Sequence, residues 1–314
     1  MKICFIVPAL TNCGPVNLVF NLCKSLFYLK HDVSVISLRQ INDEVLLKKF
    51  TSVCTLGVIF LKNNSKDIEG YLNDFDIIHS HGFYPDKLLS NLNTTAKKIS
   101  TVHCMFYQDY VKEYGFLKGL IGSFLHFKYL KNGNFSVIVG CSKSVKQYIE
   151  NRINILNVMY VNNGVDQNIF KPLSLKEKLE RRKELEINGY KKIFIYSGRL
   201  IRRKRVPELI DIFKEQYNKD SLLIVLGDGE EMQDCKNKIV DDNVMFMGEV
   251  NNPSYYYQIS DFVISNSSAE GYPMSIIEAV SCGCKALLSD IPPHNEFIVN
   301  NPNLAFLIND YQNL

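Results

Sequence analysis

The sequence lacks several features that would define its class at once. No stretch of its 314 residues approaches the ~20 uninterrupted apolar residues that a membrane-spanning helix needs. The apolar run at the start ends at Pro8, which is too short for a signal peptide and predicts a first buried strand. The nine cysteines show no regular spacing, which argues against a disulfide framework and favours a reducing compartment. One residue separates Cys282 from Cys284, which favours structural cysteines over a zinc site.

Charge is distributed unevenly along the chain. The net charge is +3, but residues 1–168 carry 18 Lys/Arg against 12 Asp/Glu, while the remaining residues carry 18 against 21. A basic first half favours an anionic surface or substrate, although a bias of this size also occurs on an ordinary solvated face. With 46% hydrophobic and 22% charged residues, the chain is long enough to form two globular cores.

Short apolar runs alternate with helical patterns, which predicts parallel sheets with helices on both faces. The predicted strands of the first half are Lys2–Val7, Val33–Ser37, Ile77–His79, Ile99–Val102, Val137–Gly140 and Val158–Val161. Those of the second half are Ile193–Ser197, Leu222–Leu226, Val244–Met247, Phe262–Ser265 and Lys285–Leu288. We expect an N-terminal domain over 1–168, a linker and lead-in helix over 169–190, and a C-terminal domain over 191–314. Both domains are expected to be Rossmann-like, with ligands at the carboxyl ends of the strands.

The clearest chemical pattern is a loop followed by a helix in the second half. Glu270 lies in the loop after a predicted strand, Pro273 interrupts the chain, and an apolar helix runs from Ile276 to Gly283. Glu270 and Glu278 are eight residues apart across this turn, so both carboxylates can face one polyhydroxylated ligand. A solvated glutamate and a second glutamate stabilised by the helix dipole explain the same spacing equally well.

A second pattern is the basic segment that follows the strand Ile193–Ser197. Gly198 lets the backbone turn, and Arg199 and Lys204 stand just ahead of an amphipathic helix that starts at Pro207. A helix N-terminus favours anions, so two cations at this position predict a diphosphate site. A charged loop or a nucleic-acid site would use the same residues. The segment is short, lacks interleaved aromatic residues and lies in the acidic half, which argues against nucleic acid.

Over essentially its whole length the chain resembles the retaining GT-B glycosyltransferases of family 4, also called glycosyl transferases group 1. The segment Glu270-x7-Glu278 resembles the signature of that family, and Gly198-Arg199-x4-Lys204 resembles its diphosphate grip. The resemblance implies two Rossmann-like domains that face each other across a cleft. It also implies a UDP- or GDP-linked sugar donor, retention of the anomeric configuration, and no metal or other cofactor. Asp74-Phe75-Asp76 spells the pattern of metal-dependent transferases, but that pattern is frequent in a chain with 33 acidic residues, and we assign no metal.

The resemblance further implies roles for individual residues. Glu278 would hold the ribose hydroxyls and Glu270 those of the donor sugar, while Arg199 and Lys204 would stabilise the departing diphosphate. His103 would contact the sugar. The departing phosphate would take the proton of the acceptor, so no general base is assigned. The expected catalytic residues are His103, Glu270, Arg199 and Lys204, and the other expected donor-binding residues are Gly14, Gly229, Val250, Gly271, Tyr272, Pro273 and Glu278.

Histidines stand at the ends of two predicted strands. A lone histidine is more often a structural residue than a catalyst, and we assign His79 to that group. His81 and His103 end strands on the side where ligands are expected. His103 is therefore the stronger catalytic candidate, and His81 is placed on the acceptor side.

Residues 115–133 combine aromatic side chains with lysines. On a helix they would form an apolar face flanked by Lys118, Lys128 and Lys131, which suits an anionic membrane surface. A helix or helical pair packed on the first domain explains the pattern equally well. The expected partners are a nucleotide sugar and a glycan or lipid-linked acceptor of surface polysaccharide synthesis. The expected location is the cytoplasm, with peripheral contact at the inner face of the cell membrane.

Three features depart from the family pattern. Arg205 stands where the family usually has glycine, and Cys104 follows His103 where an acidic or small polar residue is common. The chain ends at Leu314, where the family normally continues with further helices, so the C-terminal domain is expected to be shortened.

Other classes of protein remain as alternatives. A non-catalytic GT-B subunit that binds a nucleotide sugar or a partner transferase fits the short C-terminus, but the intact acidic and basic motifs oppose it. A sugar-nucleotide epimerase or a phosphorylase on the same architecture matches the Glu-x7-Glu loop less well. A dehydrogenase is disfavoured because no Gly-x-Gly-x-x-Gly follows the first strand.

Overall fold

The computed structural model describes residues 1–40, 43–61, 68–155, 157–216, 219–239 and 242–308. The chain divides into two compact units, Met1–Asn163 and Gly164–Leu314. Each unit is an α/β domain built on one parallel sheet, which confirms the predicted fold class. The expected linker over 169–190 stays a prediction, and the end of the chain at Leu314 lies outside the described residues.

The first unit is organised around a seven-stranded parallel sheet. Its strands are β1 (Lys2–Val7), β2 (Asp32–Ser37), β3 (Val58–Phe60), β4 (Ile77–His81), β5 (Lys97–Val102), β6 (Val137–Gly140) and β7 (Val158–Tyr160). Their order across the sheet is β3-β2-β1-β4-β5-β6-β7. The helices described in this unit are α1 (Gly14–Tyr28), α2 (Glu44–Thr51), α3 (Ile68–Leu72), α4 (Phe83–Asn91), α5 (Phe106–Tyr114), α6 (Phe116–Asn132) and α7 (Lys143–Glu150).

The second unit repeats this architecture with six parallel strands. They are β8 (Lys192–Ser197), β9 (Ser221–Leu226), β10 (Val244–Gly248), β11 (Phe262–Ser265), β12 (Lys285–Leu288) and β13 (Ala305–Leu307), in the order β10-β9-β8-β11-β12-β13. The helices described here are α8 (Leu175–Glu184), α9 (Val206–Gln216), α10 (Met232–Asn237), α11 (Pro253–Ile259), α12 (Met274–Ser281) and α13 (Pro292–Asn300).

The central strands of both sheets are buried on both faces. In β1 and β2 five of the six residues are buried, and in β9 all six are. Helices cover both faces of a parallel sheet, so its strands become nearly continuous apolar runs rather than alternating ones. Among the described residues, each sheet accordingly packs against apolar clusters on both of its faces.

The helix α8 belongs to the second unit. Ser174 and Glu177 form a reciprocal capping box that fixes its first residue. Arg182 donates to the carbonyl of Ile259 at the end of α11 and, like Lys178, pairs with Asp261 at 2.8 Å. The carboxylate of Asp261 also accepts the backbone N–H of Ile193 at the start of β8. The basic residues of α8 therefore attach this helix to Asp261, which in turn contacts β8.

The strand order reverses once in each sheet. In the first sheet the reversal lies between β1 and β4, and in the second it lies between β8 and β11. Open α/β sheets bind their ligands at the carboxyl ends of the strands beside such a reversal. These are the strand ends that His81 and Gly198 occupy or follow.

Candidate functional site

Glu270 lies in the loop that follows β11, and its carboxylate pairs with two cations from the loop that follows β8. Its carboxylate forms an ion pair with the Nζ of Lys204, and its Oε2 lies 3.3 Å from Nη1 of Arg203. The side chain of Glu270 is buried. Burial alone would raise the pKa of this carboxyl, but the charges of Lys204 and Arg203 outweigh burial and lower the pKa to about 2. The cluster is therefore fully ionised at neutral pH and carries a net charge of one positive unit.

The backbone joins the two loops that carry this cluster. Arg203 donates from Nη1 to the carbonyl of Ala269 at 2.9 Å, and its own carbonyl accepts the N–H of Ser268 at 2.8 Å and the hydroxyl of Ser268 at 2.9 Å. Residues Arg202–Lys204 form a single 3₁₀ turn, after which Arg205 takes a left-handed conformation with φ 51°. Glycine adopts that conformation without strain, whereas Arg205 adopts it at some cost in backbone energy.

The glycines after β8 and β9 allow two loops to touch. Gly227 has a φ of +119°, and a Cβ on it would overlap the carbonyl oxygen of Gly198. Gly229 lies against the backbone of Leu200 in the same way, and Leu200 donates to the carbonyl of Asp228 at 2.8 Å. The two loops therefore form one surface of backbone groups beside the ion cluster.

Arg199, Val250, Gly271, Tyr272 and Pro273, five of the predicted donor-binding residues, lie after strands of the second sheet or at the start of α12. Arg199 is exposed directly after β8, and its carbonyl accepts the hydroxyl of Tyr196 at 2.9 Å. Val250 follows β10 and packs partly buried against the core. Pro273 is the N-cap of α12, and the ring of Tyr272 lies edge-on to Phe297. Gly271 is buried beside Glu270.

Glu278 lies in an environment opposite to that of Glu270. It is on the second turn of α12, so the helix-dipole explanation, which needs a residue in the first turn, is wrong. The hydroxyl of the fully buried Tyr257 lies 3.4 Å from its Oε2. Burial raises the pKa of Glu278 to about 7, against the lowering effect of the Tyr257 hydrogen bond. Two carboxylates eight residues apart therefore differ widely in pKa, which is common at functional sites.

Glu278→Gln is expected to raise the free energy of unfolding at pH 8 by on the order of 2 kcal/mol. The pKa of Glu278 rises from 4.5 to about 7 on folding, so the folded protein holds a proton that the unfolded chain has already released. Stability contributed by this group is thus present below pH 4.5 and falls as pH rises through 7. Urea unfolding at several pH values measures the effect. The exposed Glu249→Gln is the control, and a variant with the pH profile of the wild type would contradict the assignment.

Histidines from two neighbouring strands pack together in the first unit. His81 Nδ1 and His103 Nε2 are 2.8 Å apart, and their rings stack with centroids 5.1 Å apart. His79 lies 4.3 Å from His81 by ring centroids, and its Nε2 is 2.7 Å from the hydroxyl of Thr101. Burial lowers the pKa of His79 to about 3 and that of His103 to about 4, and it places that of His81 well below its usual value. All three rings are therefore neutral at pH 7.

The loop after β1 leads directly into a helix N-terminus. Gly14 is the first residue of α1, Pro15 follows it, and the N-cap Cys13 makes no side-chain capping hydrogen bond. Proline at this position costs no helical hydrogen bond because the first N–H groups have no partner within the helix. The first turn of α1 can therefore offer its N–H groups to an anion.

Two residues at the site were not singled out from the sequence. Arg203 stands in a run of basic residues whose spacing does not show which member turns inward. His294 is fully buried at the start of α13, where its Nδ1 lies 3.1 Å from the hydroxyl of Ser289, and it interacts electrostatically with Glu270. His294 belongs to no motif of the sequence, and it lies too far along the chain from Glu270 for the sequence to indicate their contact.

The segment 115–133 forms the second helix of a tight pair. Gly119 of α6 packs directly against the backbone of Val111 in α5, at a contact too close for any side chain. His126 of α6 bridges Tyr110 and the buried Asp86, at 2.8 and 2.7 Å. The prediction of a packed helical pair is thus confirmed. Among the described residues, no helix is long and apolar enough to cross a membrane.

Asp76, the second carboxylate of the Asp-x-Asp pattern, has a structural partner. Its Oδ2 accepts the backbone N–H of Lys2 at 2.8 Å and so joins the starts of β1 and β4. In the part of the chain that the structure describes, no group of three or more His, Cys, Asp or Glu side chains is arranged to hold a metal ion.

Comparison with known proteins gives consistent results for both units. The family model described as Glycosyltransferase Family 4 matches residues 13–168, and the one described as Glycosyl transferases group 1 matches residues 177–313. The O-antigen biosynthesis glycosyltransferase WclY of Escherichia coli is 27% identical over 301 residues, which cover 93% of this chain and 81% of WclY.

Solved structures share the fold at low identity. The structure of HepE from Anabaena in complex with UDP superposes with a TM-score of 0.80 at 16% identity, over 98% of this chain and 85% of HepE. A mutant of S. aureus TarM in complex with Fondaparinux, alpha-GlcNAc-glycerol and UDP gives a TM-score of 0.75 at 13% identity, over 98% of this chain and 90% of TarM.

The two parallel-sheet domains have the fold of the GT-B glycosyltransferases. The chain belongs to the family of group 1 and family 4 glycosyltransferases, whose two models leave only residues 1–12, 169–176 and 314 unmatched.

Proposed function

We propose that this glycosyltransferase moves a sugar from a nucleoside diphosphate sugar to its acceptor with retention of the anomeric configuration and without a metal ion. The observation that supports this most strongly is the cluster that Arg203 and Lys204 form around the buried carboxylate of Glu270. The cluster lies at the carboxyl ends of β8 and β11, beside the reversal of strand order where parallel sheets bind ligands.

The charge of the cluster suits a departing diphosphate. Glu270 neutralises only one of its two cations, and the exposed Arg199 adds another positive charge after β8. Charge that develops on the leaving group would meet cations already held in place, which lowers the barrier without reorganisation. Such fixed cations can supply the stabilisation that a divalent metal supplies in other transferases.

The remaining residues divide between the nucleotide and the sugar. Glu278 accepts hydrogen bonds from the ribose hydroxyls, and Gly229 and Val250 line the nucleotide with backbone. Glu270 contacts hydroxyls of the sugar, and the neutral His103 has one ring nitrogen to offer the sugar, because the other is engaged with His81. The HepE and TarM structures both hold UDP, which supports uracil as the base of the donor nucleotide.

The acceptor belongs to the synthesis of a surface polysaccharide. WclY, which is similar to 93% of this chain, is an O-antigen biosynthesis glycosyltransferase. We infer that the acceptor is a glycan or a lipid-linked saccharide, reached from the cytoplasmic face of the membrane, with His81 on the acceptor side.

Turnover with a panel of UDP- and GDP-linked sugars on lipid-linked saccharide acceptors tests this proposal. The expected result is transfer from one UDP-sugar, an α-linked product from an α-linked donor, and the same rate after treatment with EDTA. A product of inverted anomeric configuration would contradict the mechanism. Loss of activity on chelation, restored by a divalent cation, would contradict the metal-free proposal.

An exposed apolar surface on α6 supports contact with a membrane. Its members lie on the first three turns of the helix and at the end of α5, and Phe116, Leu117 and Phe124 are 65%, 68% and 67% exposed. The helix carries three exposed lysines and no acidic residue. Aromatic side chains with flanking lysines on one surface are typical of a helix that lies on an anionic bilayer. The residues of this surface are Tyr114, Phe116, Leu117, Leu120, Ile121 and Phe124.

Replacement of both Phe116 and Phe124 by serine is expected to weaken binding to vesicles that contain phosphatidylglycerol by at least about 100-fold, because each buried aromatic side chain contributes roughly 1.5–3 kcal/mol. Vesicle co-sedimentation of the full chain measures this. Val299→Ser, at an exposed valine of the second unit, is the matched control. Equal binding of the double variant and the wild type would contradict the membrane assignment.

A further inference from the structure

The hydrogen bond between His81 and His103 joins the ends of two neighbouring strands. His81 is the last residue of β4 and is 1% exposed, whereas His103 follows β5 and is partly accessible. The shared contact runs from Nδ1 of His81 to Nε2 of His103 at 2.8 Å. The other nitrogen of His81, Nε2, is buried and has no hydrogen-bond partner within the described residues.

This contact couples the protonation of the two rings. A hydrogen bond between two imidazole nitrogens needs a proton on one of them and a lone pair on the other. Both rings are neutral, so each carries a single proton. Either His81 donates from Nδ1 and His103 then carries its proton on Nδ1, or His103 donates from Nε2 and His81 then carries its proton on Nε2.

The buried nitrogen of His81 distinguishes the two arrangements. In the second arrangement Nε2 of His81 would be a buried N–H group without an acceptor, and such orphaned donors are rare in protein interiors. In the first arrangement the same nitrogen carries no proton, so no buried N–H group is left without an acceptor. The neighbours do not reverse this preference, because the facing ring of His79 is neutral and Asp86 is engaged by His126 and Ser80.

We propose that His81 is a positioning residue that donates from Nδ1 to His103 and thereby fixes His103 as the tautomer protonated on Nδ1. The hydrogen bond made by one ring nitrogen sets which atom of a histidine carries the proton. His103 then presents an N–H donor to its ligand, which suits a hydroxyl or carboxylate oxygen of the sugar. The part of this inference that concerns the sugar rests on the proposed function.

Nitrogen-15 spectra of the full chain at pH 7 test the tautomer directly. The chain has six histidines, and the signals lost in His103→Gln identify those of His103. The expected spectrum shows a protonated Nδ1 and an unprotonated Nε2 for His103, without any donor present. A protonated Nε2, or an imidazolium, at His103 would overturn the proposal.

Two variants of His81 separate positioning from general loss of structure. His81→Asn keeps an N–H group near the position of Nδ1 and is expected to keep the tautomer of His103. His81→Leu removes the donor, so signals from both tautomers of His103 are expected while those of His31 and His294 stay unchanged. An unchanged His103 spectrum in His81→Leu would also overturn the proposal.

Kinetics then distinguish this inference from the proposed function. In His81→Leu we expect kcat to fall about tenfold with little change in KM, because one oriented donor to the reacting sugar is lost. If the spectra show the expected tautomer but His103→Gln leaves turnover unchanged, the role of His103 in transfer fails and the role of His81 stands. If His103 is not protonated on Nδ1, the positioning role of His81 fails, whatever the value of kcat in the variants.

Discussion

Replacement of Lys204 by alanine is expected to lower kcat/KM for the nucleotide sugar by at least about 100-fold. The effect is of this size because preorganised charge at the leaving group typically contributes a factor of roughly 10² to 10³ to the rate. Lys204 is only partly exposed and is held by Glu270, so its ammonium group is already oriented. The alanine variant keeps Arg203 as the only described partner cation of Glu270, and the charge of the cluster falls from one positive unit to zero.

Two further variants make the test of Lys204 specific. Lys204→Arg keeps the charge but changes its reach and geometry, so an intermediate loss is expected. Arg202→Ala removes an exposed cation two residues away and is expected to stay within about twofold of the wild type, since exposed charges contribute little. Steady-state kinetics with a UDP-sugar measure all three. Wild-type activity in Lys204→Ala would exclude this lysine from the leaving-group site.

Glu270→Gln is expected to separate binding of the nucleotide from turnover. The amide cannot neutralise a cation, so the net charge of the cluster rises from one positive unit to two. Attraction of the diphosphate then stays the same or increases, and the affinity for UDP follows it. Turnover should nevertheless fall by about 100-fold or more, because the carboxylate that orients the sugar is lost. Parallel loss of UDP affinity and turnover in a folded variant would contradict this role.

The same variant has a defined effect on stability. Removing one partner of a buried ion pair typically costs about 3–5 kcal/mol, because the remaining charges are left uncompensated. The pKa of Glu270 is lowered on folding from 4.5 to about 2, so its contribution is present above pH 4.5 and is lost as pH falls towards 2. Urea unfolding should show a difference between wild type and Glu270→Gln that is constant above pH 5 and shrinks below it. Glu208→Gln, at an exposed glutamate of α9, is the matched control.

Most of the fold follows from the apolar pattern of the sequence. All eleven predicted strands are present, because strands buried on both faces produce apolar runs that are easy to recognise. The two strands that were missed, Val58–Phe60 and Ala305–Leu307, have three residues each and lie at sheet edges, where one neighbour suffices to pair them. The strand β4 runs to His81, two residues beyond its predicted end, since its polar His-Ser-His ending pairs with β5.

The candidate site was predictable in its segments but not in its contacts. The loop with Glu270 and the basic turn with Lys204 were both identified, yet their ion pair joins residues 66 positions apart and depends on the strand order β8-β11. The inward position of Arg203 depends on the 3₁₀ turn, which its local sequence does not indicate. The pKa difference between Glu270 and Glu278 likewise arises from burial and neighbours that only the folded chain brings together.

Calorimetric titration of UDP and UMP into the wild type and Lys204→Ala tests the central claim most directly. The claim is that the basic turn beside β8 and β11 binds the diphosphate of a nucleotide sugar. We expect the wild type to bind UDP at least about tenfold more tightly than UMP, and this ratio to approach one in Lys204→Ala, with UMP affinity nearly unchanged. An equal UDP preference in both proteins, or no binding of UDP by the wild type, would contradict the claim.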